Sequence, residues 1–140
     1  IMKFFILAVL FISSIFAKTI ELTAEDFMGR RVLTKDNDTK GTWVVIFTAP
    51  DCPRCAKFMA DWDTATDKFD RKGLHFGHFD CAKSRFNCER FDIARNPSVL
   101  AFEGTQMVEI IGAESSDDLL EAFGTIKEGV MNNPSHQRVP

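Results

Sequence analysis

The period of the hydrophobic pattern changes several times along the chain, and each change marks an element. Trp43 to Thr48 reads WVVIFT, β-branched and aromatic with no charge, which predicts a central strand covered on both faces. From Pro53 to about Phe69 the apolar positions Phe58, Met59, Trp62, Ala65 and Phe69 recur at helical spacing among lysines and aspartates. That spacing predicts a long amphipathic helix. Leu74 to Phe79 returns to strand character, Ala82 to Phe91 reads as a short helix or irregular turn, and Asn96-Pro97 breaks the chain before a strand at Ser98 to Phe102. Glu103-Gly104-Thr105 turns into a further strand at Gln106 to Ile111, and Ser115 with Asp118 has capping-box spacing ahead of a last helix. The inward face of that helix is Leu119, Leu120, Phe123 and Ile126. Upstream, Thr19 to Leu22 alternates like a strand, and Thr23 with Asp26 predicts a second capping box opening a short helix through Phe27 and Met28.

The predicted order is β-α-β-α-β-α-β-β-α, an α/β protein with a mixed sheet and helices on both faces. At 140 residues and 45% hydrophobic, the chain supports one well-filled core rather than two. The first 17 residues stand apart. Lys3 precedes an apolar run broken by Ser13-Ser14 and closed by Ala17, too short for a membrane span of roughly 20 residues. They read as a secretory signal peptide, with Met2 as its start, in preference to a membrane anchor. Residues 18–128 then form the domain and 129–140 a tail or linker. A formal net charge of −3 without a basic cluster gives no footprint for nucleic acid. His136 to Pro140 is no lumenal retention signal. Asn37-Asp38-Thr39 is an N-glycosylation sequon, a candidate modification site that fits a secretory route.

Candidate chemistry lies in the four cysteines, all downstream of the leader. Cys52-Pro53-Arg54-Cys55 is a C-x-x-C at the start of the long helix. Orphan backbone N–H groups and the helix dipole there stabilise a thiolate, so Cys52 is the expected nucleophile. Cys55, nearly one turn on, is placed to resolve a mixed disulfide on Cys52. Pro53 pre-sets the first helical turn and Arg54 adds a positive charge, whereas Asp51 opposes the thiolate unless it serves as the N-cap. His75, His78 and His136 show no triad or metal spacing and read as ordinary residues. The spacing Cys81-x6-Cys88 leaves three roles open, namely a structural disulfide, an electron relay to the first pair, or zinc shared by all four; zinc favours shorter knuckles.

Phe47-Thr48-Ala49-Pro50, Cys52-Pro53-Arg54-Cys55, Asp80-Cys81 and Asn96-Pro97-Ser98 to Phe102 together resemble the catalytic domain of the protein disulfide isomerase branch of the thioredoxin superfamily, over roughly Thr19 to Ile126. The resemblance implies a thioredoxin-like fold. It also implies a cis Pro97 packed on the Cys52–Cys55 disulfide, Asn96 offering backbone to an extended substrate, and a structural disulfide between Cys81 and Cys88. No dissociable cofactor and no metal are expected; the partners are thiol- or disulfide-containing proteins, with glutathione or another redox partner, no nucleic acid, and no membrane span within the mature region. Localisation follows as the endoplasmic reticulum lumen or secretion. The chain departs from the family pattern: Asp51 replaces the usual tryptophan before the first cysteine, Ile46 occupies the position of a buried acid, and His78 that of its lysine neighbour. The family's arginine after the last strand is missing from Gly112-Ala113-Glu114, leaving Arg95 as a substitute only if it reaches inward. An apolar Ile46 moves no proton, which favours the alternative of a non-catalytic binding or chaperone-like module; the intact C-x-x-C and Asn96-Pro97 favour a thiol-disulfide oxidoreductase.

Overall fold

The computed structural model describes residues 19–28, 31–32, 42–69, 74–103, 106–127 and 138–139. The expected leader, the Asn37 sequon, His136 and most of the expected tail lie outside them. The strands are β1 (Thr19–Glu21), β2 (Phe27–Met28), β3 (Arg31–Val32), β4 (Thr42–Thr48), β5 (Leu74–Asp80), β6 (Ser98–Glu103), β7 (Gln106–Ile110) and β8 (Arg138–Val139). The α-helices are α1 (Pro53–Lys68), α2 (Arg85–Arg90) and α3 (Ser116–Lys127).

Six strands form one mixed sheet in the order β1-β5-β4-β6-β7-β8. β1, β5 and β4 run parallel, β6 is antiparallel to both β4 and β7, and β8 is parallel to β7. β4 is central, as its uncharged sequence predicts, and every residue from Trp43 to Thr48 is buried. Side chains alternate between two cores. On one face Val44, Ile46 and Phe76 meet Trp62 of α1 and Leu119 and Phe123 of α3. On the other, Val45, Phe47 and Phe79 meet Phe27, Phe91 and Leu22. Trp62 anchors the first core with edge-on contacts to Phe76 (5.7 Å) and Phe123 (5.6 Å), while its indole N–H donates to Thr19 Oγ1 at 3.1 Å. That bond ties α1 to the sheet edge.

Two predicted segments differ. Thr23 and Asp26 do pair, the Thr23 N–H donating to Asp26 Oδ2 at 2.7 Å, but they close a single 3₁₀ turn at Ala24–Asp26 rather than open a helix. Phe27 and Met28 continue instead as β2, paired with β3. Burial of Phe27 among Phe47, Phe79, Phe91 and Phe102 favours this extended path over helix propagation. Second, Arg138–Val139, within the expected tail, pair with Glu109 and Ile110 as β8. At α3 the expected box forms: Ser115 Oγ accepts from the Asp118 N–H at 3.2 Å, and Asp118 Oδ2 accepts from the Glu114 N–H at 2.9 Å. The Asp118 carboxyl is held below its ordinary value, chiefly by the Glu114 N–H and then by Ser115.

Candidate active site

β4 delivers the chain to the sheet's upper edge, and α1 begins there. Between them Asp51 adopts a left-handed backbone (φ 57°), a conformation aspartate tolerates better than most residues. It is exposed and does not cap the helix. The N-cap is Cys52 itself: its Sγ accepts from the Cys55 N–H at 3.2 Å, and Pro53 fills the first helical position, where a missing N–H costs nothing. Cys52 and Cys55 are disulfide-bonded. Cys52 is half-buried, whereas Cys55 is 5% exposed. The sulfur that meets a partner is therefore that of Cys52, and the one shielded behind it is that of Cys55. Arg54 is exposed on the outer face of the first turn.

The Asn96–Pro97 peptide is cis, and Asn96 lies between two disulfides. Its backbone oxygen is 3.6 Å from Cys52 Sγ, and its side-chain Oδ1 is 3.8 Å from Cys81 Sγ. Cys81 and Cys88 are bonded to each other, linking the end of β5 to α2. The Cys81 N–H also donates to Thr48 O at 2.8 Å, and Ser84 Oγ caps α2 by accepting from the Asn87 N–H at 3.3 Å. Cys52, Cys55, Asn96, Pro97 and Cys81 thus converge on one edge of the sheet. Arg95 is exposed rather than turned inward, and its backbone oxygen accepts from the Ser98 hydroxyl. Among the described residues no group of three or more His, Cys, Asp or Glu side chains is arranged to hold a metal ion. Nor is any described helix long and apolar enough to cross a membrane.

Sequence spacing misses one feature of this edge. His78 stands opposite Ile46 on β4 and Glu21 on β1, and both of its ring nitrogens are engaged. Nδ1 lies 2.5 Å from Glu21 Oε1, and Nε2 lies 2.7 Å from Thr48 Oγ1. Lys83 Nζ approaches the other Glu21 oxygen at 3.6 Å. Parallel register is the signal that joins positions 21, 48 and 78, and no local motif encodes it. His75 faces the opposite core, stacked on Trp43 at 5.0 Å.

A mixed sheet with helices on both faces, a C-x-x-C at the mouth of the first long helix and a cis proline beside it define the class of thioredoxin-fold proteins. The family model for thioredoxin matches residues 18–125, and the chain belongs to that family. It is 28% identical to DnaJ homolog subfamily C member 10 of Xenopus laevis across 72% of this chain, which spans 12% of that protein's length. It is also 28% identical to a thioredoxin domain-containing protein of Theileria parva, across 92% of this chain and 65% of that one. Among solved structures, the J-Trx1 fragment of ERdj5 superposes with a TM-score of 0.68 at 22% identity, over 84% of this chain and 53% of the fragment. The first thioredoxin domain of mouse protein disulfide-isomerase A4 gives 0.66 at 18% identity, over 81% and 79%.

Proposed function

We propose that this domain is a thiol-disulfide oxidoreductase of the secretory pathway, exchanging disulfides with protein clients through Cys52 and Cys55. The observation that carries the reading is the asymmetry of the pair. Cys52 Sγ caps a helix, receives a backbone N–H and stands at the accessible edge, while Cys55 is buried one turn behind it. A helix N-terminus stabilises a thiolate there. The client forms a mixed disulfide with Cys52, and Cys55 then displaces it. Asn96 and Pro97 line the approach, and Cys81–Cys88 braces the loop behind Asn96. Residues 18–128 act as the exchange domain, with residues 1–17 a removable leader and Asn37 a glycosylation site. The endoplasmic reticulum lumen or the secreted space suits four paired cysteines, and the relatives named for protein disulfide-isomerase and ERdj5 support that placement.

Replacing Cys55 by Ala tests the reading. An exchange domain that has lost its resolving thiol accumulates mixed disulfides on Cys52, seen as reducible high-mass adducts that vanish in the Cys52→Ala, Cys55→Ala double variant. A binding module with a merely structural disulfide gives no such adducts.

A further inference from the structure

We infer that the outer face of α2, centred on Phe86, docks an extended client segment that carries an aromatic side chain flanked by acidic residues a few positions from its reactive cysteine. The inference rests on the exchange reading above and names the class of client. Phe86 is 69% exposed, the most exposed large apolar side chain among the described residues.

A lone exposed apolar residue is ordinary on a protein surface. Phe86 differs in what holds it and in what surrounds it. A helix as short as Arg85–Arg90 is not stable on its own, yet α2 is fastened on every side. Cys88 is bonded to Cys81, and Phe91 is buried in the second core. The Asn87 side-chain N–H donates to Ala24 O at 3.4 Å, and Ser84 Oγ caps the first turn. At the far end the Asp92 N–H donates to Glu89 O and the Ile93 N–H to Cys88 O, each at 3.0 Å. With Asn87, Cys88 and Phe91 turned inward, the helical period sets Phe86 and Arg90 side by side on the outside. The Arg90 guanidinium carbon lies 5.9 Å from the Phe86 ring centroid, within cation–π range. A surface ordered in advance loses little entropy when it is covered.

The disulfide that fastens α2 also joins it to the exchange edge. Cys81 Sγ is 3.8 Å from Asn96 Oδ1, and Asn96 O is 3.6 Å from Cys52 Sγ. A client held at Cys52 and running past Asn96 advances about 3.3 Å per residue, so it meets α2 within a few residues. Charge then decides which client fits. From Cys81 to Pro97 the chain carries four basic and two acidic residues, although its formal net charge is −3. Lys83 faces Glu21 at 3.6 Å, and Arg85 faces Glu89 at 4.0 Å in an exposed pair of little strength. Arg90 and Arg95 have no carboxylate partner among the described residues and are open to acids of a client. The rest of the chain, acidic in excess, repels the same segment, which confines it to this flank. Docking here raises the effective concentration of the client's cysteine at Cys52 and leaves the sulfur chemistry as it was.

The test follows oxidation of two dithiol peptides by the Cys52–Cys55 disulfide in wild type, Phe86→Ala and Arg90→Gln. One peptide has a phenylalanine between two aspartates four residues from its first cysteine; in the other, serines replace those three residues. Reduced glutathione, too short to reach α2, is the third probe. Wild type is expected to prefer the acidic–aromatic peptide through a lower KM, and the preference to weaken with salt. F86A loses about tenfold in kcat/KM for that peptide by raising KM, and R90Q loses less together with part of the salt dependence, while the serine peptide and glutathione react as before in both. Equal kcat/KM for the two peptides in wild type, or an acidic–aromatic preference that survives in F86A, overturns the docking face and leaves exchange intact. A matching fall with glutathione in F86A also overturns it, as structural damage. So does a wild-type dimer in sedimentation that F86A renders monomeric, because a second copy then occupies the face. A wild type that oxidises none of the three thiols removes the exchange reading itself, and the docking face with it.

Discussion

At Cys52 one atom serves both structure and chemistry. The sulfur that caps α1 by accepting the Cys55 N–H is the sulfur placed for attack, so the interaction that starts the helix is also the one that stabilises negative charge there. Asp51, left-handed and exposed, keeps its carboxylate from taking over the cap. Asp63, twelve residues further along, carries the opposite kind of cost. Its carboxyl is raised by desolvation, with His78 only partly offsetting this, so it folds more readily protonated than ionised. Below the unfolded aspartate value both states are protonated and nothing is lost; as pH rises through that value and past the raised folded one, the folded state falls behind. Asp63→Asn is therefore expected to melt higher than wild type at pH 7, with the gap closing as pH falls toward 3. Thermal melts at the two pH values check it, and a D63N melt below wild type at pH 7 would contradict it.

Among the elements, β4 and α1 were plain in the sequence because each has an unbroken pattern of its own period and no competing contact. The Ser115–Asp118 box was legible for the same local reason. Short elements were not: Phe27–Met28 becomes β2 because Phe27 is drawn into an aromatic cluster built from four distant segments. The cysteine pairs and Asn96-Pro97 could be located by motif, whereas the Glu21–His78–Thr48 contacts depend on register between strands 57 residues apart in the chain, which no window along the sequence contains. Gly77 shows register acting on packing. A Cβ built there would stand 2.6 Å from Leu22 Cδ1, a side chain with no exposed surface. Gly77→Ala is accordingly expected to lose about 1–3 kcal/mol in a urea titration, since either Leu22 or the β1–β5 spacing must give way. An unchanged midpoint would mean that this edge is looser than the contact implies.

Over the whole molecule, two cores on opposite faces of one sheet hold two disulfides on the same edge, separated by Asn96. The placement gives them different surroundings: Cys52 is half-buried at a helix mouth, while Cys81–Cys88 closes a short loop between β5 and α2, with Cys88 6% exposed. With these surroundings the first pair is expected to exchange and the second to act as a brace. The measurement that tests this most directly is an equilibrium redox titration in glutathione buffers, each cysteine read separately by differential alkylation and mass spectrometry. Cys52 and Cys55 are expected to titrate together near about −180 to −210 mV while Cys81 and Cys88 stay oxidised well below that range. A Cys52–Cys55 bond that resists reduction below about −300 mV, as a structural disulfide does, would contradict it and leave a binding module in place of an exchange enzyme.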